Sequence, residues 1–436
     1  MRNRDLAAPV SSEPIQSFDC AKFRLMKKIF GSLLIISLLF WQNLSCSNHN
    51  DGSSKDLSTV FVVSPAIDPV PLGIPVYQVR ASDHYDFGFQ LGTLARATLQ
   101  ASLNEEAVVK HLQKANALDP AQIDSLIDAA KAFQNGDYAE EIRGLADGAQ
   151  VSERTVWEIN LWDEIDSLST VIDNSSACTS ILERKADSSR IVHSEDGGVC
   201  MDSKDLIVAA RIDDEPGFVG FMYGFMLPGY AFGLNSSQVG LSVNSLNVRE
   251  VDINGVGIVF LLRSVLSQTS VLDAIYTIST EKRAAGSSLN LAGLSGYGTT
   301  SLFQIEFNPD GFIATPVDIG QSMVHTNSYR WLSSDTENMP IESSWRRFIE
   351  ATSLLEQGNL PIEALCQPGL CRVPNPDDPC QTMAHAYVDI GLNHGELQVK
   401  NPSCDQPDFC MRARPGASWT SQSLAEINES RIVALP

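Results

Sequence analysis

The chain has 436 residues, 43% hydrophobic and 19% charged, which is room for one large or two ordinary folded units and not the composition of a disordered protein. Its formal charge of -22 counts against a nucleic-acid-binding surface, which needs clustered Lys and Arg. A dispersed acidic surface of this kind mostly serves solubility.

The first segment reads as an address. From Met26 the chain runs Met-Lys-Lys, an apolar stretch from Ile29 to Trp41, and then Leu44-Ser45-Cys46, the order of an exported bacterial lipoprotein signal. The apolar stretch is short for a membrane-spanning helix, which needs about 20 residues. Cys46 is therefore the expected lipidation site, holding the protein to a membrane and facing the periplasm or the cell surface. Asn43 departs from the aliphatic residue usual three positions before such a cysteine, and an ordinary signal peptide or an uncleaved anchor is the alternative. Residues 1 to 25 carry no targeting character, and residues 46 to 60 read as a polar tether. Of the 9 cysteines, setting aside Cys20, Cys46 and Cys178 leaves Cys200, Cys366, Cys371, Cys380, Cys404 and Cys410. In an oxidising compartment these could form three disulfides, with connectivity open. The spacings lack the paired Cys-x-x-Cys knuckles of a zinc site, and no metal or cofactor is expected.

From about Asp86 to Trp162 the apolar residues recur at helical spacing, with breaks at Asp119-Pro120, before Glu140 and at Val151-Ser152. After Cys178 the period becomes that of strands. Short apolar runs cover Thr179 to Leu182, Arg190 to His193, Leu206 to Ala210, Phe218 to Phe225, Ala231 to Leu234 and Gly240 to Val243. Helices are expected over Gly257 to Ser267 and Val271 to Ser279, strands over Thr300 to Phe307 and Gly311 to Thr315, a helix over Ser344 to Glu356, and a last strand pair within His385 to Val399. Helices inserted between groups of strands predict an α+β layered domain.

The chemistry centres on Cys178, in Asn174-Ser175-Ser176-Ala177-Cys178-Thr179-Ser180, where a small polar stretch meets a strand-like one. A cysteine needs an activating base to act as a nucleophile at neutral pH. His193, His325, His385 and His394 could supply one in space. Alternatively the Ala177-Cys178 bond is cut and the new α-amine, with an ordinary pKa of about 7.7 to 8.0, becomes the base.

Several segments, in order, carry a resemblance: Glu141-Ile142-Arg143-Gly144-Leu145-Ala146-Asp147-Gly148 with Asn160-Leu161; Ala177-Cys178-Thr179-Ser180; the acidic turn His193-Ser194-Glu195-Asp196-Gly197; Gly233-Leu234-Asn235 with Gly240-Leu241-Ser242-Val243-Asn244-Ser245-Leu246-Asn247; His325-Thr326-Asn327-Ser328-Tyr329; and Ser344-Trp345-Arg346-Arg347. Together they resemble the acyl-CoA:6-aminopenicillanic acid acyltransferase family of N-terminal nucleophile hydrolases, and more remotely bile salt hydrolases and penicillin V acylases. The resemblance implies a four-layer αββα sandwich over residues 61 to 436, made as a precursor and cut into fragments 46 to 177 and 178 to 436. It implies Cys178 as nucleophile and, through its amine, base. Asp196 would orient that amine, Asn327 and Asn247 or Asn244 would donate to the oxyanion, and Arg347 would lower the thiol pKa or pair with Asp196. Thr179 and Ser180 would assist autocleavage. Ser194, Ser328 and Ala177 depart from the family's usual Asn, His and Gly.

The resulting expectation is an exported, self-cleaving hydrolase that attacks a linear amide of a small molecule through an acyl-cysteine, with Phe218 to Phe232 as a candidate acyl pocket. Acyl-CoA-dependent N-acyltransfer, a Cys-His peptidase using His325, and a catalytically inactive ligand-binding lipoprotein are the alternatives.

Overall fold

The computed structural model describes residues 74–169, 177–198, 204–246, 250–295, 298–332, 342–373, 380–400 and 417–420, all within one compact unit, Phe61–Pro436. The expected signal segment, Cys46 and the tether, Cys200, Cys404, Cys410 and Asn247 lie outside the described residues. Strand β1 (Val76–Ala81) leads into the expected helical stretch: α1 (His84–Leu94), α2 (Arg96–Ser102), α3 (Glu106–Ala117), α4 (Pro120–Ala132), α5 (Asp137–Ala149), α6 (Glu153–Asn160) and α7 (Trp162–Leu168). Asp83 caps α1 by accepting the Asp86 N–H. Asp119 caps α4, with Pro120 at the first turn where its missing N–H costs nothing.

Beyond Cys178 the strands follow: β2 (Ala177–Arg184), β3 (Ser188–Gly198), β4 (Asp205–Ile212), β5 (Phe218–Tyr223), β6 (Phe232–Asn235) and β7 (Val239–Ser245). Helices α8 (Ile258–Val265) and α9 (Val271–Thr280) precede β8 (Ser287–Ser295), β9 (Thr299–Phe307), β10 (Phe312–Pro316) and β11 (Ser322–His325). Then come α10 (Glu342–Glu356), α11 (Pro361–Leu365), β12 (Cys380–Gly391), β13 (Gly395–Lys400) and β14 (Ala417–Thr420). Among the described residues no helix is long and apolar enough to cross a membrane.

The strands form two sheets. One has eight strands in the order β1-β4-β5-β6-β7-β8-β9-β10, parallel only at β1–β4; the other has six, β11-β2-β3-β12-β13-β14. The sheets face each other, β2 and β3 lying against β7, β8 and β9, and β12 against β8. Helices α1 and α9 pack on the eight-stranded sheet, while α10 and α11 pack on β2, β3 and β11. The expected α+β four-layer arrangement is thus present. Being covered on both sides, β4 and β5 are apolar almost throughout and buried.

The helical layer owes its geometry to glycine. Helices α1 and α5 cross with their backbones in contact: a Cβ on Gly88 would stand 2.2 Å from the Glu141 carbonyl oxygen, and one on Gly144 would stand 2.2 Å from that of Tyr85. The motif from Glu141 to Gly148 is therefore a packing motif. Its Glu141 carboxylate meets the Arg263 guanidinium of α8 through bonds of 2.7 and 3.1 Å, both side chains fully buried, and it also holds His84 at 2.7 Å. Burial alone would depress His84, but its bonds to Glu141 and Glu215 outweigh that and raise it to about 9.

One expectation is corrected here. The acidic segment His193 to Gly197 is not a turn but the second half of β3, paired on one side with β2 and on the other with β12. Two ladders outweigh the turn preference of Asp-Gly. The ladder shifts register between Thr382 and Ala384 beside Gly197, where a Cβ would stand 2.3 Å from the Met383 sulfur.

Candidate active site

The site is built on the β2–β3 hairpin. Its turn, Ala186-Asp187, is closed by the Lys185 N–H donating to the Ser188 carbonyl. That turn fixes the register, placing Ala177 opposite Asp196, Cys178 opposite Glu195 and Ser180 opposite His193. Side chains alternate along each strand. Leu182 and Ile191 join the main core, whereas Ile181 and Val192 join the cluster under α10 and α11. Cys178, Ser180, His193 and Glu195 therefore share one face, and Thr179 and Asp196 the other.

Cys178 is buried and a free thiol. Its backbone N–H donates to Asn327 Oδ1 at 2.8 Å, and its carbonyl accepts from Arg347 Nη1. Arg347 also donates to Thr179 Oγ1 at 2.8 Å and to Asn327 Oδ1 at 2.7 Å. Neighbouring Arg346 is exposed and pairs with Glu342, so of the two arginines only Arg347 enters the site. Asn327 stands just past β11, its N–H held by Ser344 Oγ at 2.9 Å and its Nδ2 donating to the Ser245 carbonyl at 3.0 Å. Its Oδ1 thus holds the Cys178 nitrogen, while one of its two amide hydrogens goes to Ser245.

Asp196 faces the α10 side. Thr382 Oγ1 donates to its Oδ1 at 2.7 Å, Arg372 stands 3.9 Å from Oδ2, and Oδ2 accepts no hydrogen bond. Burial pushes its pKa up to about 7 in spite of the charges of Arg347 and Arg372. Burial also raises the Cys178 thiol well above its ordinary value, reinforced by the charges of Glu195 and Asp196; the Asp196 N–H, donating to the sulfur, and Arg347 oppose it.

Of the groups around the sulfur, the sequence offered His193 as a possible base but gave Glu195 no role. Cys178 Sγ donates to Glu195 Oε2 at 3.4 Å, that oxygen lies 2.8 Å from His193 Nε2, and the Tyr223 hydroxyl donates to Glu195 Oε1. His193 Nδ1 meets Ser180 Oγ at 2.8 Å, which donates to Asn244 Oδ1 at 2.9 Å. Asn244 thus sits one step deeper than Cys178, and its Nδ2 has no hydrogen-bond partner. The ligand atoms of Cys178, His193 and Glu195 lie within 4.8 Å of one another, a grouping that could hold a metal ion. The turn at Ala186-Asp187 was the available signal: counting back from it places Glu195 across from Cys178.

Tyr223 also lines a small cavity of about 20 Å³ with Trp162, Val108, Glu105 and Asp205, and the expected aromatic segment contributes Tyr223, Gly224, Phe225 and Met226 to its wall. His325 bonds to Ser288 Oγ at 3.1 Å and Glu306 at 3.0 Å, and so is engaged away from the sulfur. His385 contacts Ser194 at 2.9 Å, and burial holds its pKa down to about 3. Cys366 and Cys371 are disulfide-bonded.

No curated protein matches the chain. Residues 183–366, a stretch that contains Asp196, Asn244, Asn247, Asn327 and Arg347 and begins just past Cys178, match the family described as acyl-coenzyme A:6-aminopenicillanic acid acyl-transferase, the family that the motifs resemble, whose chemistry is enzymatic transfer of an acyl group.

Proposed function

We infer that the chain cuts its own Ala177–Cys178 bond and then works as a cysteine hydrolase on a linear amide. The observation that carries this reading is the seat around that bond. The Cys178 nitrogen is already held by Asn327 Oδ1, and across the ladder from Ala177 stands a buried carboxylate, Asp196, whose Oδ2 accepts no hydrogen bond. A buried polar atom left without a partner is costly. The cut would supply one, because the released nitrogen becomes an ammonium.

In the cut protein the Cys178 amine, ordinarily near 7.7 to 8.0, is matched to proton transfer at neutral pH. It takes the thiol proton as the sulfur attacks the substrate carbonyl. Collapse of the tetrahedral species passes that proton to the leaving nitrogen and leaves an acyl-cysteine. Water or an amine then takes the acyl group and restores the thiol. Arg347, bonded to the Cys178 carbonyl and to Asn327, fixes the strand end that carries both reacting atoms. Asn327, through the amide hydrogen not bonded to Ser245, and Asn247 or Asn244, the latter with an unengaged buried Nδ2, are the oxyanion donors proposed. The aromatic segment Phe218 to Phe232 is proposed to line the acyl pocket. The order of charged, apolar and small residues before Cys46 supports export and a lipid anchor, which places the enzyme away from acyl-CoA pools and favours hydrolysis over acyl-CoA-dependent transfer.

The test is to trap the intermediate. Denaturing quench of the protein during turnover of N-acyl amides should give an acyl mass increment on the fragment carrying Cys178, and Cys178→Ala should give none. Turnover by Cys178→Ala at the wild-type rate would refute the assignment.

A further inference from the structure

Before the cut, Cys178 has no free amine, so the base that serves the cut enzyme does not yet exist. We propose that Glu195, held by His193 and Tyr223, is the general base that starts self-cleavage of the uncut chain. This rests on the reading of Ala177–Cys178 as the cut bond.

Three observations support it. The Glu195 carboxylate is the side chain that the sulfur hydrogen-bonds, at 3.4 Å, and cross-strand register puts it there. Its two oxygens are fixed from opposite partners, Oε2 by His193 Nε2 at 2.8 Å and Oε1 by the Tyr223 hydroxyl, so it cannot swing away. His193 is itself held by Ser180, and Ser180 by Asn244, a chain that runs into the space between the sheets. The third is electrostatic. The thiolate is disfavoured by burial and by the charges of Glu195 and Asp196. Losing the proton to solvent would add another negative charge to a buried site. Passing it to Glu195 moves the charge by one hydrogen bond and leaves the total unchanged.

The step balances. The Cys178 S–H proton moves to Glu195 Oε2 as the sulfur bonds to the Ala177 carbonyl carbon. The C–N bond to Cys178 then breaks, and the proton on Glu195 goes to the departing nitrogen, which leaves as an amine. A thioester joins Ala177 to Cys178 Sγ, and water cleaves it to the Ala177 carboxylate and the free thiol. Glu195 is the catalytic residue here; His193 and Tyr223 position it.

The experiment follows the full chain by intact mass after purification, over time and across pH, for wild type, Glu195→Gln, Glu195→Asp and Tyr223→Phe. Unfolding midpoints are recorded alongside to separate chemistry from folding. Glu195→Gln keeps the shape of the side chain and should slow cutting about 100-fold or more, the usual scale of general-base catalysis. It should also lose the acid limb of the pH–rate profile. Glu195→Asp should cut at an intermediate rate with that limb retained, and Tyr223→Phe should shift the limb. Equal cutting by wild type and Glu195→Gln overturns the proposal alone. Slowing that merely follows a lowered midpoint, with the profile unchanged, overturns it as well. A wild-type chain that stays whole overturns both this proposal and the reading of the cut bond.

Discussion

Asp196→Asn, made in a Cys178→Ala background that keeps the chain whole, should stabilise the uncut protein increasingly as pH rises. Burial lifts the Asp196 pKa from an ordinary 3.8 to about 7 in the folded chain. Its folded pKa is above its unfolded one, so the stability it lends is complete below about pH 4 and is lost as pH climbs to about 7. The gap of roughly three pH units, at about 1.4 kcal/mol each, makes the loss on the order of 4 kcal/mol. Asparagine does not titrate and keeps the acceptor for Thr382 Oγ1. Its 3.9 Å pairing with Arg372 operates only when the carboxyl is ionised and is already contained in the pKa of about 7. Urea unfolding at pH 4, 5.5, 7 and 8.5 should therefore give a difference between Asn and Asp that grows toward pH 7 and then levels. A difference that is flat across these pH values would refute the reasoning, because it would mean that the folded chain does not hold Asp196 protonated. In the cut enzyme the same substitution should lower activity, since the new ammonium would then lack its carboxylate.

Other substitutions test the frame. Gly144→Ala drives a Cβ against the Tyr85 carbonyl and should cost about 1 to 3 kcal/mol or more, read as a lowered urea midpoint. Glu141→Leu strands the buried Arg263 charge and should cost about 3 to 5 kcal/mol; adding Arg263→Met should recover much of that in a double-mutant cycle. Arg347→Lys cannot reproduce the bonds to Cys178, Thr179 and Asn327 together and should slow amide turnover at least tenfold, whereas Arg346→Ala, at an exposed pair, should stay within about 0.5 kcal/mol of wild-type stability.

Much of the site was legible because its residues sit in recognisable segments. Cys178, Asp196, Asn327 and Arg347 come from separate parts of the chain, and the fold brings them to one strand end. The layer order was legible too, since helical spacing before Trp162 and strand spacing after Cys178 survive in the structure as α1 to α6 and β2 to β7. What could not be read was the direction of side chains. Asp196 and Glu195 are neighbours in sequence and lie on opposite faces of β3, so the carboxylate that meets the sulfur is the one outside the expected catalytic set. Asn327 illustrates a second limit. The sequence does not show that its Oδ1 holds the Cys178 N–H while one of its two amide hydrogens goes to the Ser245 carbonyl. The glycines of α1 and α5 mark a third, for a close backbone crossing leaves only small residues four apart as its trace.

The most direct measurement is the intact mass of the protein purified in an active state, with N-terminal sequencing of each species. Two fragments that stay together under native conditions, the larger beginning with an unblocked Cys178, are expected. A fully active preparation consisting of one chain unbroken between Ala177 and Cys178 would contradict the mechanism at its first step.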